Sequence, residues 1–296
     1  MKILVTGATG FVGRPLIEEL IKDSKFQLLI LSRDVQKAKA IFKHLGEKNI
    51  YFAENNDTES IQSYNPDVVL HFAALNTSRN DRLIIDNIVD ANITNGVKLL
   101  DALSPCDNLK LFVNASTFAA YRNNAGIDSS NLYAASKTAF EVFMDYYSDK
   151  DGYQVISAIL YSIYGGDMTV KRVMDYIAES INATENVAMT AGEQQLDFIH
   201  VYDVVDFYKC LLENCQRLPK DVRKIPVGTG KATKIKSIAN IIESVSNKKC
   251  HIDWGALPYR ERDIMFAQAA HSHIWDVISW QPKIQLETYL KDKYGY

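Results

Sequence analysis

The chain has 296 residues, 47% of them hydrophobic and 23% charged, with a net charge of −3. That length supports a sizeable buried core in one large domain or two smaller ones, and the balance is that of a soluble globular protein. It excludes a general nucleic-acid binder, which carries a basic excess, and no apolar run is long enough to span a bilayer.

The chain opens on "MKILVTGATGFVGRPLIEEL", in which Ile3, Leu4 and Val5 form a short apolar run suited to a buried parallel strand. From Met1 the sequence enters this strand without a leader-like segment, so the expected location is the cytoplasm, with Cys106, Cys210, Cys215 and Cys250 reduced. Gly7, Gly10 and Gly13 follow, then a helical pattern at Leu16, Ile17, Leu20 and Ile21. Strand, tight glycine turn and helix N-terminus together predict a site for a dinucleotide pyrophosphate. Gly7 permits the turn, Gly10 lets the backbone approach the phosphates, and Gly13 lets helix and strand pack. Thr9, Phe11 and Val12 complete this cofactor-binding loop.

A second strand, "FQLLILSRD" (26–34), ends twenty residues past Gly13 at Ser32 and Arg33. An NAD site usually has an acidic residue here to hold the ribose 2′-hydroxyl. A hydroxyl beside a guanidinium suits a 2′-phosphate instead, which points to NADP. Asp34 follows directly and keeps NAD as the alternative.

Strand patterns at 49–54 and 67–74, a long helix at 83–103, a strand at 110–116, a helix at 131–149 and a strand at 153–165 continue the alternation. The fold class expected is α/β, a Rossmann-type doubly wound parallel sheet with a smaller C-terminal α/β lobe for the substrate. The dinucleotide-binding domain would take 1–165, with 196–225 returning to it, and the smaller lobe 166–296. Within that lobe the pattern predicts a helix over 169–182, a strand running into a helix at 196–213, and a strand and helix at 225–245. A polar, proline-containing tail closes the chain. His271 and His273 have no neighbouring cysteine or histidine to complete a metal site, and no metal is expected.

Tyr-x-x-x-Lys occurs at Tyr133/Lys137, Tyr146/Lys150 and Tyr289/Lys293, so the bare pattern does not choose among them. The company each pair keeps does. TGATGFVG (6–13), HFAA (71–74), Asn92, NAST (114–117), YAASK (133–137), LDFIHVYDVV (196–205), VGTGKATKI (227–235) and the Arg260 region together resemble the extended short-chain dehydrogenase/reductases that act on nucleotide sugars. This is the NAD-dependent epimerase/dehydratase family, and the resemblance covers essentially the whole chain. Within it, "TAGEQQLDFIHVYDVV" and "WGALPYRERDIM" look most like the CDP-abequose/CDP-paratose synthase group and related 4-ketoreductases making dTDP- or GDP-6-deoxysugars, which leaves the base open.

The resemblance implies a catalytic set of Thr117, Tyr133 and Lys137. Tyr133 would exchange a proton with the substrate oxygen, Thr117 would orient that oxygen, and Lys137 would hold the nicotinamide ribose. The expected ammonium effect is to pull the Tyr133 phenol down towards working pH. Tyr146/Lys150 and Tyr289/Lys293 are expected to be solvated helix-face pairs. Glu54, Phe72, Ala73, Ala74 and Asn92 join the implied cofactor-binding set. On the substrate side, Arg260 would clamp the nucleotide-sugar diphosphate with Arg262 as near neighbour, and Lys171, Arg172 and Val173 would face the nucleotide or form a plain basic turn.

Leu196 and Ser162 stand where many relatives have arginine and asparagine, which leaves the identity of the sugar open. Phe118-Ala119 after Thr117 lacks the acid pair of a dehydratase. The favoured reading is an NADP-dependent reductase of a 4-keto-6-deoxy nucleotide sugar. The alternatives are a 4-epimerase with retained NAD and a non-catalytic dinucleotide sensor. The family implies a homodimer.

Overall fold

A computed structural model describes residues 1–46, 48–124, 126–166 and 171–295. Its strands are β1 (Lys2–Thr6), β2 (Gln27–Ser32), β3 (Ile50–Glu54), β4 (Val68–His71), β5 (Leu111–Thr117), β6 (Gln154–Leu160), β7 (Ser162–Tyr164), β8 (Val187–Met189), β9 (Gln195–His200), β10 (Lys224–Val227), β11 (Ala232–Lys234), β12 (Ile252–Trp254) and β13 (Phe266–Ala267). Seven of them form a parallel sheet in the order β10-β6-β5-β4-β1-β2-β3. This is the doubly wound arrangement, in which strand order reverses at β1 and β4 and ligands bind beyond the carboxyl ends of the strands.

Strand alternation explains why helices cover both faces. Ile3 and Val5 point to one face and pack with Leu16, Ile17, Leu20 and the apolar stripe of Val201–Glu213. Leu4 points to the other and packs with Leu99, Leu100, Phe140 and Met144. Each of these side chains is buried, so both faces of the central strands are dry.

β7, β11 and β13 pair with β9 in a second, smaller sheet, while β8 and β12 pair with each other. The expected strand at 153–165 is therefore two strands in two sheets: the chain leaves the main sheet after Leu160 and enters the second at Ser162. The long helix at 83–103 is also not continuous. It runs as Ile85–Val89 and Asn95–Leu103, joined by a π-helical turn at Asp90–Thr94. The helix expected over 169–182 is Val173–Ser180; 169 and 170 lie outside the described residues. The tail holds helices His273–Val277 and Leu286–Tyr294, beyond the polar tail expected there.

Candidate active site

Gly7 leaves β1 with φ +68°, and a Cβ there would lie 2.6 Å from the Ala73 nitrogen. Only glycine fits both the left-handed backbone and the close approach to the neighbouring strand's exit. A Cβ on Gly13 would run into the Gly7 carbonyl oxygen, so the first turn of helix Gly13–Leu20 packs directly on the loop. Gly10 differs: a Cβ would meet only the Gly7 oxygen, at 3.1 Å, which leaves its other sides open. That opening at a helix N-terminus is a cradle for an anion. Beneath it, the Ala73 N–H donates to Thr6 Oγ1 at 3.2 Å, and Thr6 Oγ1 is 2.8 Å from His71 Nδ1. Burial, with a smaller push from the Lys137 charge, holds the His71 imidazole down at about 3, so it is neutral.

Ser32 and Glu54 are register partners at the ends of β2 and β3. The Asp34 carboxylate accepts the Lys37 N–H at 2.9 Å and caps helix Val35–Phe42, while Ser32 Oγ donates to the Asp34 carbonyl at 3.0 Å. Asp34 caps the helix through one carboxylate oxygen, and it and Arg33 beside it are both exposed.

Asn131 caps the helix Leu132–Asp151 by accepting the Ala134 N–H at 2.8 Å, which sets Tyr133 in the first turn. Lys137, one turn on, is fully buried, and its Nζ donates to Asn114 Oδ1 at 3.0 Å. Burial lowers this ammonium to about 8, with the Glu141 charge opposing. Glu141 lies another turn along, accepts from Ser116 Oγ at 2.8 Å and is 3.1 Å from Lys224 Nζ. Thr117, closing β5, accepts the Ala119 N–H on Oγ1 at 3.2 Å, which leaves its own hydroxyl proton to donate.

Tyr133 departs from the expectation for its charge state. Burial pushes its phenol up to about 12, and the cation that counters is Arg172. The physical reason is that Lys137 is itself buried and turned to Asn114, so it does not offset the desolvation of a phenolate.

Asn92 also acts at one remove. Its Oδ1 accepts the Leu75 N–H at 2.6 Å, and its Nδ2 donates to Ser136 Oγ at 2.8 Å and the Leu75 carbonyl at 3.3 Å. Ser136 Oγ in turn donates to the Tyr133 carbonyl at 2.8 Å. Asn92, held at the π-helical turn, ties the segment after β4 to the Tyr133 helix.

A cleft of about 900 Å³ is lined by Gly7, Thr9, Gly10, Phe11, Val12, Gly13, Phe72, Ala74, Thr117, Tyr133 and Val173. Among the other expected residues, Ala73, Asn92 and Lys137 are not in that lining, the last two being fully buried, and Ser32, Arg33 and Glu54, at or just past the ends of β2 and β3, are also outside it. Lys171 is not brought to the cleft: its ammonium pairs with Glu179 across its own exposed helix end at 2.6 Å. Arg260 is exposed outside the lining, with its backbone N–H 3.3 Å from the Asp263 carboxylate. Arg262 is pinned to Asp128 and to the Ser129 carbonyl.

Arg172 does line the cleft. So do Tyr289 and Lys293: the pair sits on a helix face as expected, with Lys293 exposed and Tyr289 half-buried, and that face turns to the cleft. Phe118 and Tyr161, stacked at 5.5 Å, add an aromatic wall that spacing alone did not reveal.

The reversed strand order and the glycine cradle define a dinucleotide-binding α/β enzyme. Residues 3–225 match the model of the NAD dependent epimerase/dehydratase family, and the chain belongs to that family. It is an NAD(P)-dependent enzyme of the extended short-chain dehydrogenase/reductase type.

The chain is 30% identical to CDP-abequose synthase of Salmonella muenchen, over 98% of this chain and 96% of that protein. With the enzyme of the same name from Salmonella typhimurium the identity is 28%, over 95% and 93%. In fold it is similar to a UDP-glucuronic acid 4-epimerase from Bacillus cereus, with a TM-score of 0.86 and 20% identity, covering 99% of this chain and 98% of that one. Among the described residues no helix is long and apolar enough to cross a membrane.

Proposed function

We propose that the protein reduces a 4-keto-6-deoxy sugar linked to a nucleoside diphosphate, CDP in the first instance, with NADPH. The observation that carries this reading is that Thr117 and Tyr133 line the same cleft as the glycine cradle. Near end-to-end similarity to CDP-abequose synthases supports the choice of base.

The residues present fit a dinucleotide, since a side chain at Gly10 would meet only the Gly7 oxygen and fill space three residues before the helix start at Gly13. Gly7, Thr9, Gly10, Phe11, Val12 and Gly13 would hold its pyrophosphate. Arg33 and Ser32 would hold the 2′-phosphate, the exposed guanidinium supplying the charge that a phosphate needs. When bound, the reduced nicotinamide supplies the hydride. Thr117 would donate a hydrogen bond from its hydroxyl to the substrate carbonyl oxygen and orient it, keeping its own proton. Tyr133 delivers the proton that the oxygen acquires, a role that suits a group protonated at neutral pH. Lys137 supplies positive charge beneath the ribose, and Asn92 positions the Tyr133 helix. The smaller lobe, with Val173 and Arg260, would hold the sugar nucleotide.

A 4-epimerase would use the same groups, but its first step removes a hydride and a proton from an alcohol, and so needs Tyr133 as phenolate. Arg33 tilts the choice towards the reductase, because a freely exchanging NADPH suits net reduction. Two copies would associate through the exposed Leu83, Val89, Val142, Phe143 and Tyr146 on the helices flanking the site.

The test is loss of NADPH absorbance with a panel of CDP-, dTDP-, GDP- and UDP-linked 4-keto-6-deoxysugars, with NADH run beside it. Stoichiometric oxidation with the CDP sugar is expected. No net oxidation with any member, together with interconversion of ordinary nucleotide hexoses and retained NAD, would replace this reading with the epimerase.

A further inference from the structure

Tyr289 and Lys293 repeat the Tyr-x-x-x-Lys spacing on the last helix, in the wall of the same cleft. Lys293 Nζ donates to Tyr289 Oη at 3.0 Å and lies 5.4 Å and 5.5 Å from the ring centres of Tyr289 and Tyr294. Tyr289 is itself fixed, with its ring 5.0 Å from those of both Tyr164 and His200. The ammonium is therefore anchored through the ends of β7 and β9, rather than swinging on a free tail.

Arg172 lines the same cleft. Its guanidinium is 4.7 Å from the centre of the Phe11 ring, and one prong donates to the Ile163 carbonyl at 2.9 Å. Phe11 belongs to the glycine loop, so this cation faces the cradle. Among the described residues, the cationic side chains lining the cleft are Arg14, Arg172 and Lys293, and Arg14 is already engaged by Glu18 at 3.2 Å. The acids in the lining are Glu18 and Asp175, and Asp175 is occupied by the Arg172 N–H at 2.9 Å.

A helix N-terminus supplies only roughly half an elementary charge. A bound diphosphate carries more negative charge than that, and burying it without further cations is costly. The cradle at Gly10 therefore calls for a further counter-charge, and Arg172 and Lys293 are cleft-lining cations able to supply it.

We propose that Arg172 and Lys293 form a diphosphate-binding wall opposite the glycine cradle, with Tyr289 holding the Lys293 ammonium in place. The inference rests on the dinucleotide and sugar-nucleotide reading above. The Phe11 contact makes the dinucleotide pyrophosphate the expected occupant, and the sugar-nucleotide diphosphate offers the same chemistry.

The test is calorimetric titration of the full chain and of Lys293→Met, Lys293→Arg and Tyr289→Phe with NADPH, CDP and inorganic pyrophosphate. Lys293 is exposed, so its loss leaves the core untouched, and thermal melts confirm folding of each variant. Lys293→Met is expected to weaken NADPH roughly tenfold, as loss of a charge-assisted hydrogen bond does, with Lys293→Arg restoring most of it. Tyr289→Phe is expected to cost less. Weakening of CDP in place of NADPH would assign the wall to the sugar nucleotide. Unchanged affinity of Lys293→Met for all three ligands would overturn the inference. A wild type that binds pyrophosphate through Lys293 but neither nucleotide would keep the wall and sink the functional reading instead.

Discussion

The two sides of the cleft are assembled in different ways. The glycine side comes from one stretch, residues 7–13, and works through backbone: a positive φ at Gly7, a close approach at Gly13 and an open face at Gly10. The opposite side is gathered from distant segments, with Tyr164 from β7, Arg172 ahead of helix Val173–Ser180, Tyr202 from Val201–Glu213, and Tyr289 and Lys293 from the last helix. A site made of consecutive backbone tolerates almost no substitution and is readable as a string. A site made of side chains from several elements is fixed only by tertiary packing, and single changes there should be graded.

Substitutions can break that comparison, and the largest effect is expected where the two sides meet. Tyr133→Phe should lower turnover by roughly 10²–10⁴-fold while leaving NADPH affinity within about twofold, because only a proton-donating hydroxyl is removed. Steady-state kinetics beside a cofactor titration would show it, and a variant keeping a tenth of the activity would contradict the assignment.

Gly13→Val comes next. Its side chain collides with the loop backbone, so NADPH binding should vanish and stability fall by about 2 kcal/mol, read by titration and by urea unfolding. Retained binding would mean that the cradle is not the cofactor site.

Arg33→Ala should weaken NADPH roughly tenfold and leave NADH unchanged, since a guanidinium contact to the 2′-phosphate is lost. Equal losses for both would remove the case for NADP. At the small end stands Lys171→Ala. Its ammonium is spent on Glu179 at the surface, so KM for the sugar nucleotide should change less than about twofold.

A pH profile sharpens the account of the meeting point. Lys137 is charged below about 8 and neutral above it, while Tyr133 stays protonated to about 12. Turnover in the reductive direction should therefore be flat on the neutral side and decline as pH rises through about 8. A rise through that range would mean that a phenolate is needed, as in an oxidative first step.

The same contrast explains what was legible in the sequence. The parallel sheet and its glycine loop follow from apolar runs and glycines at fixed spacing, and Asn131 marks the start of the Tyr133 helix because its side chain caps it. Lys171 and Arg172 show the limit. They are adjacent and chemically alike, yet one pairs with Glu179 at the surface and the other stacks on Phe11, a choice set by how the helix start docks. Tyr289/Lys293 carried the right spacing but no local context, because its partners Tyr164 and His200 lie far away in the chain. The fate of Asp34 as a cap, and the turn to π-helix that presents Asn92 to Leu75, likewise depend on backbone geometry that composition does not encode.

The most direct test of the central claim is isotopic. The protein would be incubated with NADPH deuterated at the transferable position and a CDP-linked 4-keto-6-deoxysugar, and the product read by mass spectrometry and proton NMR. A reductase yields a 4-hydroxy product carrying one deuterium at that carbon, with one NADPH oxidised per product formed. Unlabelled product with no net oxidation of NADPH would contradict the account.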